Sequence, residues 1–154
     1  MTSENQYFVF VLEEQCYAIA LSAVEKVIRS VQITPLPDAP EISGLINMNG
    51  QFIPVADIRK RFHLPEREMD IHDRIIISRT SRGTVAFVVD RVQGVAGFPM
   101  EQTDESRQMF QGPENYIDGV GKFNKNTVFV CDINKLLSVQ NIKKPDDHEP
   151  KPVG

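Results

Sequence analysis

The feature that most constrains the fold of this chain is a segment that occurs twice. Residues 42–62 align without a gap with residues 117–137, and seven pairs are identical: Ile42/Ile117, Gly44/Gly119, Asn49/Asn124, Val55/Val130, Asp57/Asp132, Ile58/Ile133 and Lys60/Lys135. Each copy reads glycine, strand, polar turn, strand and then V-x-D-I-x-K before a short helix. Such a repeat is one supersecondary unit used twice. The repeat predicts two similar subdomains with a groove between them. The alternative is that the match arose by chance.

The composition is typical of a globular protein and argues against a dedicated nucleic-acid binder. The 154 residues suffice for one ordinary domain or for two very small ones that share a core. The formal net charge is −4 and the pI is about 5.4, whereas nucleic-acid binders usually present a basic face. The one basic cluster, R-K-R at 59–61, is interpreted as the solvated face of a short helix.

The cysteines and the N-terminus bear on the cellular compartment. Cys16 and Cys131 are the only cysteines, and both lie in strand-like runs, so buried inert thiols are expected rather than a disulfide framework. The N-terminus lacks a basic segment followed by an apolar one, and no apolar run approaches the ~20 residues of a membrane span. A cytoplasmic protein that does not insert into the membrane is therefore expected.

The dipeptide Asn49-Gly50 predicts a hairpin with a two-residue type I′ turn. Such a turn pairs Met48 with Gln51, Ile46 with Ile53 and Gly44 with Val55. Ile46, Ile53 and Val55 then share the core face, and Leu45, Asn47, Phe52 and Pro54 share the other. Because Pro54 has no N–H to donate, its strand is expected at a sheet edge or beside a bulge.

A helix of one or two turns is predicted after Ser22. Ser22 and Glu25 fit a capping box, and Val24, Val27 and Ile28 are spaced to share one helical face. Packing of that face on the protein's own core is favoured over exposure to a partner. Further strands are predicted at 6–12, 16–21, 31–36, 74–78 and 84–92, further helices at 57–64 and 133–140, and bends at Gly94 and Gly97.

The pattern as a whole predicts one all-β domain over residues 1–142. About nine or ten short strands and a few short helices fit two small five-stranded β-barrel subdomains with a groove between them. Residues 101–114 are polar and are expected to be irregular. Residues 143–154 contain three prolines and almost no apolar side chains, and we expect a disordered tail because such a segment buries too little surface to order itself.

No catalytic, metal or cofactor site is predicted. His63, His72 and His148 are scattered rather than placed at ligand spacing, and phosphate-loop, nucleophile-elbow and metalloprotease motifs are missing. Asp57 and Asp132 each follow a strand and precede a helix, where helix capping is favoured over catalysis. For a scaffold of this kind, recognition through exposed patches and sheet edges is the expected function.

Asp90 lies between apolar residues in V-V-D-R-V, and three interpretations remain open. The carboxylate could cap a strand end, face solvent or contact a partner protein.

Three stretches together resemble the CheW-like family of chemotaxis coupling proteins. They are L-P-D-A-P-E-I-S-G-L-I-N-M-N-G-Q-F-I-P-V-A-D-I-R-K-R-F at 36–62, V-A-F-V-V-D-R-V at 85–92 and Y-I-D-G-V-G at 116–121. The resemblance covers about residues 6–137. It implies two five-stranded barrels and an adaptor that is not an enzyme. The implied partners are the regulatory domain of a CheA-type histidine kinase, the cytoplasmic hairpin tip of chemoreceptors and other CheW-like domains, in the cytoplasm at membrane-associated receptor arrays.

The resemblance also implies site residues. The receptor-binding set is Val24, Lys26, Val27, Ser43, Gly44, Asn47 and Asn49. The kinase-binding set is Phe87, Val88, Asp90 and Val92. The family usually has arginine where this chain has Asn49, so a charge-assisted contact worth about 1.5–3 kcal/mol would be missing.

That difference keeps two further functions open. One is an accessory CheW-like scaffold in a variant motility or two-component pathway with altered receptor or kinase binding. The other is a small-molecule-binding barrel or an enzyme that uses Asp57 and Asp132.

Overall fold

The computed structural model describes residues 6–37, 42–99 and 116–137. These contain ten strands: β1 (Gln6–Leu12), β2 (Gln15–Ala20), β3 (Val24–Arg29), β4 (Ile42–Met48), β5 (Gln51–Ala56), β6 (Arg74–Thr80), β7 (Gly83–Val89), β8 (Arg91–Gly97), β9 (Ile117–Phe123) and β10 (Asn126–Cys131). Two short helices, α1 (Ile58–Arg61) and α2 (Ile133–Leu136), follow the repeated hairpins. The predicted all-β class with a few short helices is confirmed. The segment 101–114 and the tail 143–154 lie outside the described residues.

The strands form two five-stranded sheets, and each sheet draws on both halves of the chain. Sheet 1 has the order β8-β1-β2-β10-β9, and sheet 2 has the order β3-β6-β7-β5-β4. The first half of the chain (β1–β5) places the hairpin β1–β2 in sheet 1 and its other three strands in sheet 2. The second half (β6–β10) places the hairpin β6–β7 in sheet 2 and its other three strands in sheet 1. The two predicted five-stranded subdomains are therefore confirmed. They are not closed barrels, since the end strands of each sheet do not pair with each other in the part of the chain described.

The repeated segments have the same structure. The hairpins β4–β5 and β9–β10 each contain a bulge near the start, at Ser43 and Asp118. Each second strand also pairs in parallel with a hairpin strand, β5 with β7 and β10 with β2. The duplication predicted from the sequence is thus a structural one.

The Asn49-Gly50 turn has the predicted geometry. Asn49 and Gly50 have φ angles of 54° and 88°, and the strand register is the predicted one. Ile46, Ile53 and Val55 are buried, as expected for the core face.

Pro54 does not lie on an edge strand, because β5 is internal in sheet 2. The pairing of β5 with β7 covers only Val55 and Ala56, so the absent N–H of Pro54 costs no ladder bond to β7. On the other side, Leu45, which lies opposite Pro54, exchanges its backbone hydrogen bonds with Thr34 at 2.8 and 2.9 Å. Proline is therefore tolerated inside this sheet where the ladder is interrupted.

The helix predicted after Ser22 is wrong. A single 3-10 turn over Leu21–Ala23 has no side-chain cap, and Val24–Arg29 is the edge strand β3. A bulge at Glu25 separates Val24, which pairs with Ser78, from Lys26, which pairs with Ile77. Because the bulge adds one residue, Val24 and Val27 fall on the same face of a strand although they are three residues apart. Their spacing therefore imitates that of a helix.

Other predicted element bounds also differ. The strand at 31–36 is wrong, since this proline-flanked stretch contributes only the isolated bridge between Thr34 and Leu45. The strand at 84–92 is divided at Asp90 into β7 and β8, which belong to different sheets. Helix α1 ends at Arg61 rather than 64, with Phe62 as its C-cap. Helix α2 ends at Leu136, and residues 138–140 lie outside the described part.

A second duplication becomes visible only in the structure. Strands β1–β2–β3 and β6–β7–β8 have matching registers, so that Phe10 corresponds to Ser78 and Val24 to Val92. The bulge that skips Glu25 in β3 recurs at Gln93 in β8. Few of the aligned residues are identical, which is why the sequence does not show this repeat.

Three buried clusters hold the sheets. One lies within sheet 1 around Val9, and another lies within sheet 2 around Ile75. The third and largest joins the two sheets, with the rings of Phe10 and Phe87 5.4 Å apart. The facing surfaces of the sheets thus share a core, and two cavities lie beside α1 and α2.

Candidate protein-interaction surfaces

The predicted receptor-binding residues lie on the two edge strands of sheet 2 and on the β4–β5 turn. On β3, Lys26 is exposed, and Val24 and Val27 are half-buried against the inter-sheet core. On β4, Ser43 and Asn47 are exposed, and Gly44 is buried. Between β3 and β4 the chain passes along the outer side of β4, where Thr34 forms an isolated bridge with Leu45. The structure thus places these residues in one sheet.

Three of these residues have structural roles. A Cβ at Gly44 would lie 2.2 Å from the carbonyl oxygen of Thr34, so only glycine leaves room for the segment that bridges β4 through Thr34. Asn47 accepts a hydrogen bond from the Gly50 N–H at 2.8 Å, and Asn49 supplies the left-handed turn conformation. These contacts shape the hairpin that is predicted to bind the receptor.

Phe52 is an exposed aromatic side chain that the predicted sets omit. It lies opposite Asn47 on β5, and 52% of its surface is exposed. An exposed Phe on a hairpin is an effective protein contact because of its large apolar area. The sequence pattern placed Phe52 on the outer face, and that placement is the signal that identifies it.

The predicted kinase-binding residues span the junction of β7 and β8. Phe87 is fully buried, so it can act only by supporting the surface. Val88 is half-buried and lines a cavity, and Val92 packs against the inter-sheet core. Asp90 lies at the strand junction in an ion-pair cluster. The assignment of this set to a kinase remains a prediction.

The Asp90 ion cluster comprises Asp90, Glu13, Arg59, Arg67 and Asp73. Asp90 accepts hydrogen bonds at 2.7 Å from both Arg59 and Arg67, and at 2.9 Å from the Glu13 N–H. Arg59 also pairs with the Glu13 carboxylate at 2.7 Å. Asp90 was considered as a strand-end cap, a solvent-facing carboxylate or a partner contact. In the structure it lies at a strand end, and its carboxylate is bound by the β1–β2 turn and by two guanidinium groups. The cluster joins α1 and the β1–β2 turn to the β7–β8 junction.

The basic cluster at 59–61 is not simply a solvated face. The Arg59 side chain is only 13% exposed and lies in two ion pairs. Hydrogen bonds to Glu13 and Asp90 raise the pKa of Arg59 although its burial acts to lower it. The interpretation is therefore wrong for Arg59, which is a structural cation.

Asp90 makes the fold sensitive to acid. Burial acts to raise the pKa of Asp90, but hydrogen bonds from the Glu13 N–H, Arg59 and Arg67 together lower it. A lowered folded-state pKa stabilises the protein above the unfolded value of about 3.9, and this contribution is lost as the pH falls through the folded-state pKa. We expect the stability advantage of the wild type over Asp90→Asn to shrink as the pH falls below about 5 in urea titrations.

Asp118 should have the opposite effect on the pH dependence of stability. Its pKa is raised by burial and by Asp132, against the influence of Lys135. The stability of the wild type relative to Asp118→Asn should therefore rise as the pH falls. Parallel pH profiles for the two variants would contradict this account of both carboxylates.

Asp57 and Asp132 are helix caps, as predicted. The Asp57 carboxylate accepts from the Lys60 N–H at 3.2 Å. The Asp132 carboxylate accepts from the N–H groups of Asn134 and Lys135 at 2.9 and 3.2 Å. These contacts account for both residues without a catalytic role.

Removing a cap should have a measurable effect. We expect Asp132→Ala to lower the free energy of unfolding by about 0.5–2 kcal/mol, because two N–H groups of α2 lose their acceptor. Asp132→Asn keeps a side-chain acceptor and should retain most of the stability. Chemical denaturation of the two variants compares these values, and equal losses would show that the charge rather than the cap is important.

An aromatic cluster fixes the end of α1 to sheet 1. The Phe62 ring stacks on Tyr17 at 4.5 Å and meets the Tyr116 ring edge-on at 5.0 Å. The Tyr116 hydroxyl donates a hydrogen bond to the Arg61 carbonyl oxygen. Burial, with a smaller contribution from Cys131, raises the pKa of Tyr17 to about 12. The neutral phenol is therefore the form that packs between the sheets.

Two cavities occupy equivalent positions beside the helices. The one beside α1 has a volume of about 580 Å³ and includes Ser43, Asp57 and Val88 in its lining. The one beside α2 has a volume of about 710 Å³ and includes Asp118 and Asp132. Ser43 corresponds to Asp118 and Asp57 to Asp132 in the repeat. The duplication has thus produced two related cavities with different polar linings.

The two cysteines are buried, whereas the histidines of the described residues are exposed. Cys16 and Cys131 are buried free thiols, as predicted, and burial raises the pKa of Cys131, with Asp118 and Asp132 adding to it. His63 and His72 are exposed, as predicted. Within residues 6–37, 42–99 and 116–137, no group of three or more His, Cys, Asp or Glu side chains is placed to hold a metal ion. In the same ranges, none of the helices has the length and apolar character to cross a membrane.

The fold and these surfaces define a duplicated double-sheet β module whose exposed polar and aromatic side chains lie on edge strands and a hairpin. The CheW-like domain profile matches residues 6–141, and the chain belongs to this family. The resemblance identified from the sequence is therefore confirmed.

Known proteins similar to this chain carry the same family name. The chemotaxis protein CheW of Thermotoga maritima is 30% identical over 149 residues, which cover 92% of this chain and 93% of that protein. The chemotaxis protein CheW of Treponema pallidum is 28% identical over 145 residues, with coverages of 90% and 85%. The crystal structure of the scaffolding protein TtCheW from Thermoanaerobacter tengcongensis superposes with a TM-score of 0.77 at 26% identity, covering 90% of this chain and 96% of that one.

Proposed function

We propose that this protein is a non-catalytic chemotaxis adaptor that couples chemoreceptors to a CheA-type histidine kinase. The observation that carries the proposal is the CheW-like match over residues 6–141 on a double sheet with exposed edges. The caps at Asp57 and Asp132 support it further, because helix capping accounts for the two carboxylates on which an enzyme hypothesis rested. The adaptor acts at receptor arrays in the cytoplasm.

The receptor surface in this proposal consists of the two edges of sheet 2 and the β4–β5 turn. Lys26, Ser43, Asn47 and Asn49 offer polar groups there, and Phe52 offers an apolar ring. An amphipathic helical hairpin of a receptor tip presents a matching combination of apolar and polar side chains. Val24 and Val27 support this surface from the core side.

The kinase surface is the β7–β8 junction, where Val88, Asp90 and Val92 lie. Asp90 is engaged by two arginines, so its role toward a kinase is to position the junction rather than to present a free charge. Individual contacts of such a module are weak, and array multivalency supplies the overall strength.

Separate binding measurements test the two surfaces. The purified chain should bind a receptor-tip fragment and a CheA regulatory domain with dissociation constants of about 1–10 μM, measured by calorimetry. Lys26→Glu should weaken receptor binding and leave kinase binding unchanged. Absence of binding to both partners at tens of micromolar would reject the adaptor function.

Asn49 favours a second candidate, an accessory scaffold with altered partner binding. Asparagine suits the left-handed turn at φ 54° but lacks the charge of the arginine that the family usually has here. If this position contacts a partner, Asn49→Arg should tighten binding by roughly 10-fold or more, as expected for a charge-assisted hydrogen bond. Asn124→Arg, at the equivalent turn of the second repeat, is the matched control. Equal affinities of both variants and the wild type would remove the motivation for the variant pathway.

A further inference from the structure

A strap of residues 65–73 links α1 to β6 and is held mainly by charged groups. Arg67 donates to both carboxylate oxygens of Asp73, at 2.7 and 3.1 Å, and to Asp90 at 2.7 Å. Asp73 also accepts from the Asp70 N–H at 2.8 Å, and Arg59 donates to the Pro65 carbonyl oxygen at 3.0 Å. The strap is therefore pinned at its start, at its end and across to the β7–β8 junction.

Apolar burial contributes little to holding the strap. Met69 packs partly against the core of sheet 2, whereas most of the remaining strap residues are exposed. Ile71 at its tip is 79% exposed. Segments with few buried apolar contacts open locally at low free-energy cost. The end of the strap is also held locally by Arg74, which donates to the carbonyl oxygens of Ile71, His72 and Asp73. Arg67 is the residue that ties the strap across to the β7–β8 junction.

The strap forms one wall of the cavity beside α1. Glu66, Arg67 and Met69 line that cavity from the strap side, and Ser43 and Val88 line it from β4 and β7. Ser43 belongs to the predicted receptor-binding set and Val88 to the predicted kinase-binding set. The two sets therefore meet in a cavity whose cover is a weakly packed segment.

We propose that the strap is a releasable cover, locked by Arg67, that controls access to the cavity between Ser43 and Val88. In the locked state Arg67 bridges Asp73 and Asp90. Release of Arg67 frees the strap to move away while sheet 2 remains folded, because the strap contributes no strand to it. The lock is a property of the free chain, whereas its effect on partner binding rests on the proposed function.

Hydrogen exchange on the full chain tests the lock. Arg67→Gln should accelerate exchange of the Asp70 and Asp73 amides, which donate to the Asp73 carboxylate and to the Asp70 carbonyl oxygen. The expected acceleration is about 10- to 100-fold, the range for loss of charge-assisted hydrogen bonds. The matched control is Arg79→Gln, since Arg79 makes a loose ion pair with Glu25 at 3.8 Å and its side chain is 69% exposed. The control should change exchange of these two amides by less than about twofold.

Two outcomes of that experiment would overturn the lock. One is exchange of the Asp70 and Asp73 amides that is equal in Arg67→Gln and the control. The other is faster exchange throughout β6 and β7 as well, which would show that Arg67 supports the whole sheet. Arg67→Lys serves as a second variant that keeps the charge but not the two-pronged contact with Asp73, and its exchange rate should lie between those of the wild type and Arg67→Gln.

Binding measurements then test the effect on access. Arg67→Gln should bind the kinase regulatory domain at least about fivefold more tightly than Arg79→Gln, because Arg67 covers Val88 and Asp90 of the kinase-binding set and the partner no longer has to displace the strap. Faster exchange with unchanged affinity would overturn the control of access. If the wild type binds neither partner, the proposed function fails, and the lock is still judged by the exchange rates alone.

Discussion

Replacing Phe87 with alanine should lower the free energy of unfolding by about 3–5 kcal/mol, the range for a fully buried aromatic side chain. Phe87 has no exposed surface and packs between the sheets, with its ring 5.4 Å from that of Phe10. The cavity left by the truncation would lie in the cluster that joins the sheets. Urea denaturation followed by far-UV circular dichroism measures the loss.

Val88→Ala is the matched control for Phe87→Ala. Val88 is the next residue on β7, is half-buried and lines the cavity beside α1. Its truncation should cost about 1 kcal/mol or less, and any loss of kinase binding in this variant reports on contact rather than on folding. In Phe87→Ala, binding should fall only in proportion to the folded fraction. A loss below about 1 kcal/mol in Phe87→Ala would contradict the position of the inter-sheet core.

Gly44→Ala should destabilise the protein by about 1–3 kcal/mol, as overpacking typically does. The added methyl group would lie 2.2 Å from the Thr34 carbonyl oxygen and 2.7 Å from the Ile33 side chain. Relief requires moving the backbone segment that bridges β4 through Leu45. The substitution therefore tests whether this segment lies against β4 as the structure shows.

Ser43→Ala tests the specificity of the Gly44 effect. Ser43 is exposed at the neighbouring bulge, so its substitution should change stability by no more than about 0.5 kcal/mol. Thermal denaturation of both variants gives the comparison. A Gly44→Ala protein as stable as the wild type would mean that the segment around Thr34 takes another path.

The repeated hairpins could be predicted because their signals are local. The Asn49-Gly50 turn fixes the register by itself, and Asp57 and Asp132 stand where a helix cap is needed. The resemblance to a known family added the overall class. These features depend on neighbours in the sequence, which a single chain displays.

The remaining features depend on partners distant in the sequence. Val24 and Val27 looked helical because the bulge at Glu25 is imposed by pairing with β6, which no local pattern reveals. Asp90 divides an apolar run because β7 and β8 enter different sheets there.

Only part of the geometry around the candidate site residues could be predicted from the sequence. The residues of the receptor-binding set that the structure leaves exposed lie on edge strands and a turn, as a binding surface requires. By contrast, the sequence did not reveal that Phe87 is inaccessible or that Arg59 and Arg67 converge on Asp90. Burial and ion pairing of this kind arise when residues 13, 59, 67 and 90 meet in the folded chain.

The most direct test of the adaptor is a three-component sedimentation experiment. Receptor-tip fragments assembled on vesicles are mixed with a CheA regulatory domain, with and without this protein. The kinase domain should sediment with the vesicles in larger amount when the protein is present, and Lys26→Glu should reduce the gain. An equal amount of sedimented kinase domain with and without the protein would contradict the proposal that it couples receptor to kinase.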